Sequence, residues 1–159
     1  FQLQASFRLN KEKNEIFKQS IMSAKNITKT NVARLLDAAG IDYELIPYTV
    51  SEDDLSAVHV AAELGEDIDC VFKTLVLEGN KSCELIPMKN LLPLTGYIRG
   101  GCCPIGMKKP FPTYIDESCT LFDTIFISAG VRGLQLKIST DALVKYVGMT
   151  VADIDSSSR

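Results

Sequence analysis

The chain has 159 residues, of which 46% are hydrophobic and 23% charged, and a net charge of −3. That length suits one domain whose core needs neither disulfide nor metal, and no apolar run reaches the roughly 18 residues of a membrane span. The acidic balance argues against a broad basic surface for sequence-blind nucleic-acid binding, and so against a DNA-binding role.

The chain begins FQLQASFRLNKEKNEIFKQS, which lacks an apolar core of signal-peptide length. Residues 1–26 are expected to be a disordered or non-native leader, with Met22 as a natural start, and residues 27–155 a single domain. TNVARLLDAAG (30–40) predicts a helix: Val32, Leu35, Leu36 and Ala39 fall on one face, Thr30 or Thr28 caps the start, and Gly40 suits a left-handed stop. DYELIPYTV (42–50) reads as extended, with Pro47 marking an edge strand. SAVHVAAELG (56–65) predicts a second short helix ended by Gly65, and CVFKTLVL (70–77) a strand rich in apolar and β-branched residues. Residues 78–95 carry no clear periodicity.

TYI (113–115) predicts a short strand. TIFIS, AGVRG and LQLKI (124–138) read as strand, glycine turn and strand. Ser139 caps a last helix through Tyr146, with Gly148 as its stop. Short mixed strands and separate helices predict an α+β domain with a mixed, partly barrel-like sheet flanked by helices. The five cysteines (70, 83, 102, 103 and 119) are an odd number in a chain that reads as cytoplasmic, so reduced thiols are expected.

Lys73 interrupts the apolar strand. Side chains alternate along a strand, so Lys73 projects with Val71 and Leu75, opposite Phe72, Thr74 and Val76. An ammonium there is either a snorkelling stem on a solvated face or a cation at a cleft wall, placed to hold an anionic or carbonyl group. A second candidate is GYIRGGCCPIGMKKPFPTYID (96–116), with four glycines and three prolines. Gly100, Gly101, Cys102 and Cys103 could offer main-chain N–H groups to an oxyanion, or simply form a tight connection. The stretch fits neither a phosphate-binding P-loop nor a dinucleotide fingerprint. Cys103 with the single histidine, His59, is formally a nucleophile–base pair. A buried thiol and a helix-surface histidine are the alternative. From Gly96 to Lys137 five cations stand against three anions, a small basic rim suited to a phosphate backbone or a solvated turn.

In this order VFKTLVL, GYIRGGCCPIGMKKPFPTYID and TIFISAGVRGLQLKI resemble the YbaK-type deacylases, related to the editing domain of bacterial prolyl-tRNA synthetase. The resemblance runs from about Asn31 to Ile154. It implies that Lys73 is the essential catalytic residue and that Tyr48, Thr74, Gly100, Gly101, Cys103, Ser128 and Gln135 bind substrate. It implies no metal and no cofactor. The substrate would be an aminoacyl-tRNA edited in trans, Cys-tRNA(Pro) first, with prolyl-tRNA synthetase a candidate partner. Ala-tRNA(Pro) hydrolysis, or a non-catalytic module that binds tRNA or a synthetase, is the alternative. Cys103 stands where many members have Ser, and Gln135 where the best-known type has Asp. A family strand–helix unit near residues 79–83 is absent.

Overall fold

The computed structural model describes residues 28–51, 53–79 and 83–154. The leader expected at 1–26 lies outside them, as do residues 80–82.

The chain folds as α+β. Helix α1 (Asn31–Ala39) starts where the Thr30 side chain accepts a hydrogen bond from the Ala33 N–H and ends at Gly40 in the left-handed conformation. Strand β1 (Tyr43–Pro47) follows. Ser56 caps α2 (Ala57–Leu64) by the same device, accepting from the His59 N–H. Strands β2 (Leu77–Glu78) and β3 (Glu84–Leu85) form a short antiparallel ladder. Helix α3 (Met88–Thr95), strand β4 (Tyr114–Asp116), the hairpin β5 (Thr124–Ser128) and β6 (Leu134–Ser139), helix α4 (Thr140–Val147) and strand β7 (Thr150–Ala152) complete the order.

The central sheet has the antiparallel order β1-β6-β5, with Leu136 opposite both Leu45 and Ile127. Pro47, which cannot donate to a ladder, sits at the end of an edge strand. β4 and β7 pair in parallel. Among the described residues the ladders are three separate open sheets.

The period of two in β5 and β6 divides the central sheet. Ile125, Ile127, Leu134, Leu136 and Ile138 pack with Val32 and Leu36 of α1 and Leu143 of α4 into the main core. The alternate positions, Phe126, Ser128, Gln135 and Lys137, face the other way. That second face is covered in part by α2 and the 3₁₀ turn Ile68–Cys70.

Two expectations are corrected. Residues 70–77 do not form a regular strand. Val71 alone bridges to Phe126, in parallel, and the Phe72 N–H donates to the Phe126 carbonyl at 2.8 Å. Beyond that point the chain leaves β5, and the Val76 carbonyl accepts from the Ile86 N–H instead. Apolar, β-branched composition favours an extended backbone, but a ladder also needs a continuous partner edge. The second correction is α3, hidden in the sequence by Pro93 inside the helix. Strand β7 was likewise without a signal, being three residues long and dependent on β4.

Candidate active site

On the second face of the sheet a cavity encloses about 480 Å³ of empty space, part of it open to solvent. The row that builds it follows from register. Gln135 on β6 lies opposite Ser128 of β5 and Ile46 of β1. Two residues beyond Ile46, Tyr48 is tied to the far turn by its N–H, which donates to the Gly133 carbonyl at 3.0 Å. On the other side, Val71 is bridged to Phe126. Two residues further along the chain, Lys73 reaches the same cavity as Ser128. Tyr48, Lys73, Ser128 and Gln135 all line the cavity, with Thr74, Gly100 and Cys102.

The remaining wall is the start of α2: Leu55, Ser56, Ala57 and Val60. Lys73 is anchored there, its Nζ donating to the Leu55 carbonyl. An ammonium has three N–H donors, so two remain for a ligand. Nearby, Asp54 accepts from the Ser56 N–H at 2.9 Å. The Ser56 hydroxyl and amide hold its carboxyl below the usual range, helped by the charges of His59 and Lys73.

The Gly100 turn lines the cavity, and it is locked to the turn between β5 and β6. Arg132 Nε donates to the Arg99 carbonyl at 2.8 Å. A Cβ on Gly101 would lie 3.2 Å from the Val131 backbone, so glycine permits this contact between main chains. The Gly101 N–H is occupied by the Ile98 carbonyl at 3.0 Å. Of the expected main-chain donors, the amides of Gly100 and Cys102 are left as candidates.

Of the residues expected to bind substrate, Gly101 and Cys103 do not line the cavity. Cys103 is fully buried in the main core, and burial pushes its thiol up to about 12. His59 Nε2 lies 3.2 Å from the Thr49 carbonyl, and His59 lines no part of the cavity. The nucleophile–base pair is therefore overturned. Cys102 is the member of the vicinal pair at the cavity, its thiol raised by burial to about 11. Nothing in the sequence separates two adjacent loop cysteines, because a loop has no period. Cys103→Ala is expected to keep kcat/KM within about twofold of the parent in a deacylation assay, since a raised, sequestered thiol is a poor nucleophile.

The basic rim is also reassigned in part. Lys108 packs its stem over Gly96, its N–H donates to the Thr95 carbonyl at 3.1 Å, and its Nζ reaches the Leu92 carbonyl at 3.5 Å. It caps the C-terminus of α3, where a cation complements the helix dipole.

Among the described residues, the cavity gathers one cationic side chain, a buried amide and the Gly100 turn. Comparison with known proteins places the chain more closely. The sequence pattern of the aminoacyl-tRNA editing domain matches residues 77–146. A candidate Cys-tRNA(Pro)/Cys-tRNA(Cys) deacylase of Enterococcus faecalis, EbsC, is 36% identical over 156 residues, covering 82% of this chain and 95% of that protein. Two solved structures share the fold. A candidate trans-editing enzyme for prolyl tRNA synthetase has a TM-score of 0.67 at 19% identity, covering 79% of this chain and 98% of its own. The hypothetical protein APE2540 has a TM-score of 0.70 at 21% identity, covering 78% and 98%. The chain belongs to the aminoacyl-tRNA editing family, whose members hydrolyse the ester bond of mischarged tRNA.

Proposed function

We propose that this protein is a trans-editing deacylase that hydrolyses Cys-tRNA(Pro). The observation that carries the reading is the convergence of Lys73, Ser128, Gln135 and the Gly100 turn on one cavity too small for a folded partner. The similarity to EbsC supports cysteine as the acyl group.

An aminoacyl ester is already activated, so the protein need supply mainly orientation and charge stabilisation. Lys73 directs its free N–H donors at the ester carbonyl or the terminal ribose. The Gly100 and Cys102 amides face the oxygen on which negative charge develops. The attacking group is the substrate's own thiol. Its sulfur bonds to the carbonyl carbon, the ester C–O bond breaks, and the thiol proton passes to the ribose oxygen. Water then opens the resulting thiolactone to free cysteine.

Residues 27–155 act as one domain in this proposal, without the strand–helix unit near 79–83. The alignment to EbsC spans 156 positions but takes in only 82% of this 159-residue chain, so EbsC carries residues without counterpart here. Leu75, Leu77 and Leu85 are 60%, 52% and 63% exposed, as expected where a covering element is missing.

The test is a comparison of Cys-tRNA(Pro), Cys-tRNA(Cys) and Ala-tRNA(Pro) hydrolysis. Cysteinyl substrates are expected to be cleaved at least about tenfold faster than alanyl, because alanine lacks the thiol that attacks the carbonyl. A faster alanyl reaction would move the attack to a tRNA hydroxyl or water. Binding with no turnover of any of the three would leave a capture module.

A further inference from the structure

Gln135 is 6% exposed, lines the cavity, and has no side-chain hydrogen bond to another described residue. Its cross-strand neighbours on that face offer little: Ile46 is apolar, and Ser128 Oγ already accepts from the Gly130 N–H at 3.3 Å. A buried amide without a partner is costly unless something in the cavity completes its bonds. No side-chain polar atom among the described residues is both sealed from solvent and unpartnered, so the Gln135 head group looks into the open space.

Building on the deacylase reading above, we infer that Gln135 binds the α-amine of the aminoacyl ester in its uncharged form and so sets the protonation state of the substrate that the cavity accepts. An amide offers one acceptor and two donors. It can accept from an uncharged amine and donate to that amine's lone pair or to the ester carbonyl. Among the described residues Lys73 is the only charged side chain lining the cavity, so an ammonium would enter against a like charge with no carboxylate in the lining. The Cys102 thiol in the lining is raised by burial to about 11 and adds no charge near neutral pH.

Beyond the lining the charges are of both signs, and the Asp54 carboxylate is near enough to act on Lys73. On the same face, Lys137 lies opposite Glu44 in the register and stands over the Phe126 ring, 5.4 Å from its centre. At the start of α2, Asp54 is engaged by Ser56, and His59 is turned to the Thr49 carbonyl. At the glycine turns, Arg132 is engaged by the Arg99 carbonyl. Selection for the uncharged amine is the physical result of a neutral amide where a carboxylate would have selected the ammonium.

The test is KM against pH for Cys-tRNA(Pro), beside tRNA(Pro) carrying the α-hydroxy analogue of the same acyl group, which keeps the thiol but cannot protonate. A free α-amine titrates near about 7.7–8.0, and lower on an ester. Below that value KM for the amino substrate is expected to rise by about tenfold per pH unit as pH falls, while KM for the hydroxy analogue stays flat. In Gln135→Glu the amino profile should flatten or reverse, and KM for the hydroxy analogue should rise. Flat profiles for both substrates, parallel profiles for both, or an unchanged profile in a folded Gln135→Glu would overturn the inference. Were no substrate turned over, the deacylase reading would fail separately. The same pH profile is then read as Kd for the non-hydrolysable 3′-amide analogue of cysteinyl-adenosine, where a flat profile again overturns the role of Gln135.

Discussion

Lys73→Ala is expected to lower kcat/KM for aminoacyl-tRNA hydrolysis by at least roughly 10²–10³-fold, the loss seen when one preorganised transition-state donor is removed. The fold should persist. Lys73 is exposed, its one side-chain hydrogen bond among the described residues is to the Leu55 carbonyl, and the extended chain around it is held by Phe72 and Val76 packing on the main core. Circular dichroism and the urea midpoint should match the parent. Lys73→Arg should recover little, because a planar fork cannot replace a compact ammonium held against one carbonyl. Parent-like turnover by the alanine variant would remove Lys73 from the mechanism.

Gly130→Ala is expected to destabilise the protein by roughly 2–5 kcal/mol, from left-handed backbone strain together with overpacking. Gly130 has φ +91°, and a Cβ there would lie 2.9 Å from Val32 Cγ2 and 3.1 Å from Tyr97 Cε1. Neither neighbour can yield easily. Val32 is fully buried in α1, and the Tyr97 hydroxyl donates to the Ile105 carbonyl. Gly40→Ala supplies the control: φ is +67° but nothing lies within 4 Å, so only the conformational part, about 1–2 kcal/mol, is expected. Urea unfolding at constant m-value reads both. Equal midpoints for the two variants would show that the packing at Gly130 is not as tight as its distances imply. Because the Gly130 N–H donates to Ser128 Oγ, the variant should also disturb the cavity, raising KM beyond what stability alone explains.

Capping residues and period made much of this architecture readable in advance. Thr30 with Gly40, and Ser139 with Gly148, bound their helices at the residues expected, and Gly65 ended the second helix as expected, since caps act within one helical turn and need no tertiary partner. Alternation in TIFIS and LQLKI was equally local, and it already separated the face carrying Ser128 and Gln135 from the face carrying the isoleucines. The tendency of residues 70–77 to extend was legible; their failure to pair was not, because pairing depended on where β5 turned away. Helix α3 was masked by Pro93, and β7 exists only because β4 lies beside it.

The sequence by itself determined the local elements and which side chains of each strand share a face, because dihedral preference, capping and a two-residue period are properties of short segments. Tertiary structure alone decided the membership of the cavity. It brought Lys73 and Gln135 to one cavity, placed Cys102 rather than Cys103 at the wall, committed the Gly101 N–H to Ile98, and drew Lys108 away to a helix end. Each of those outcomes turns on contacts between segments distant in the chain, where the competition is among partners and not among backbone conformations.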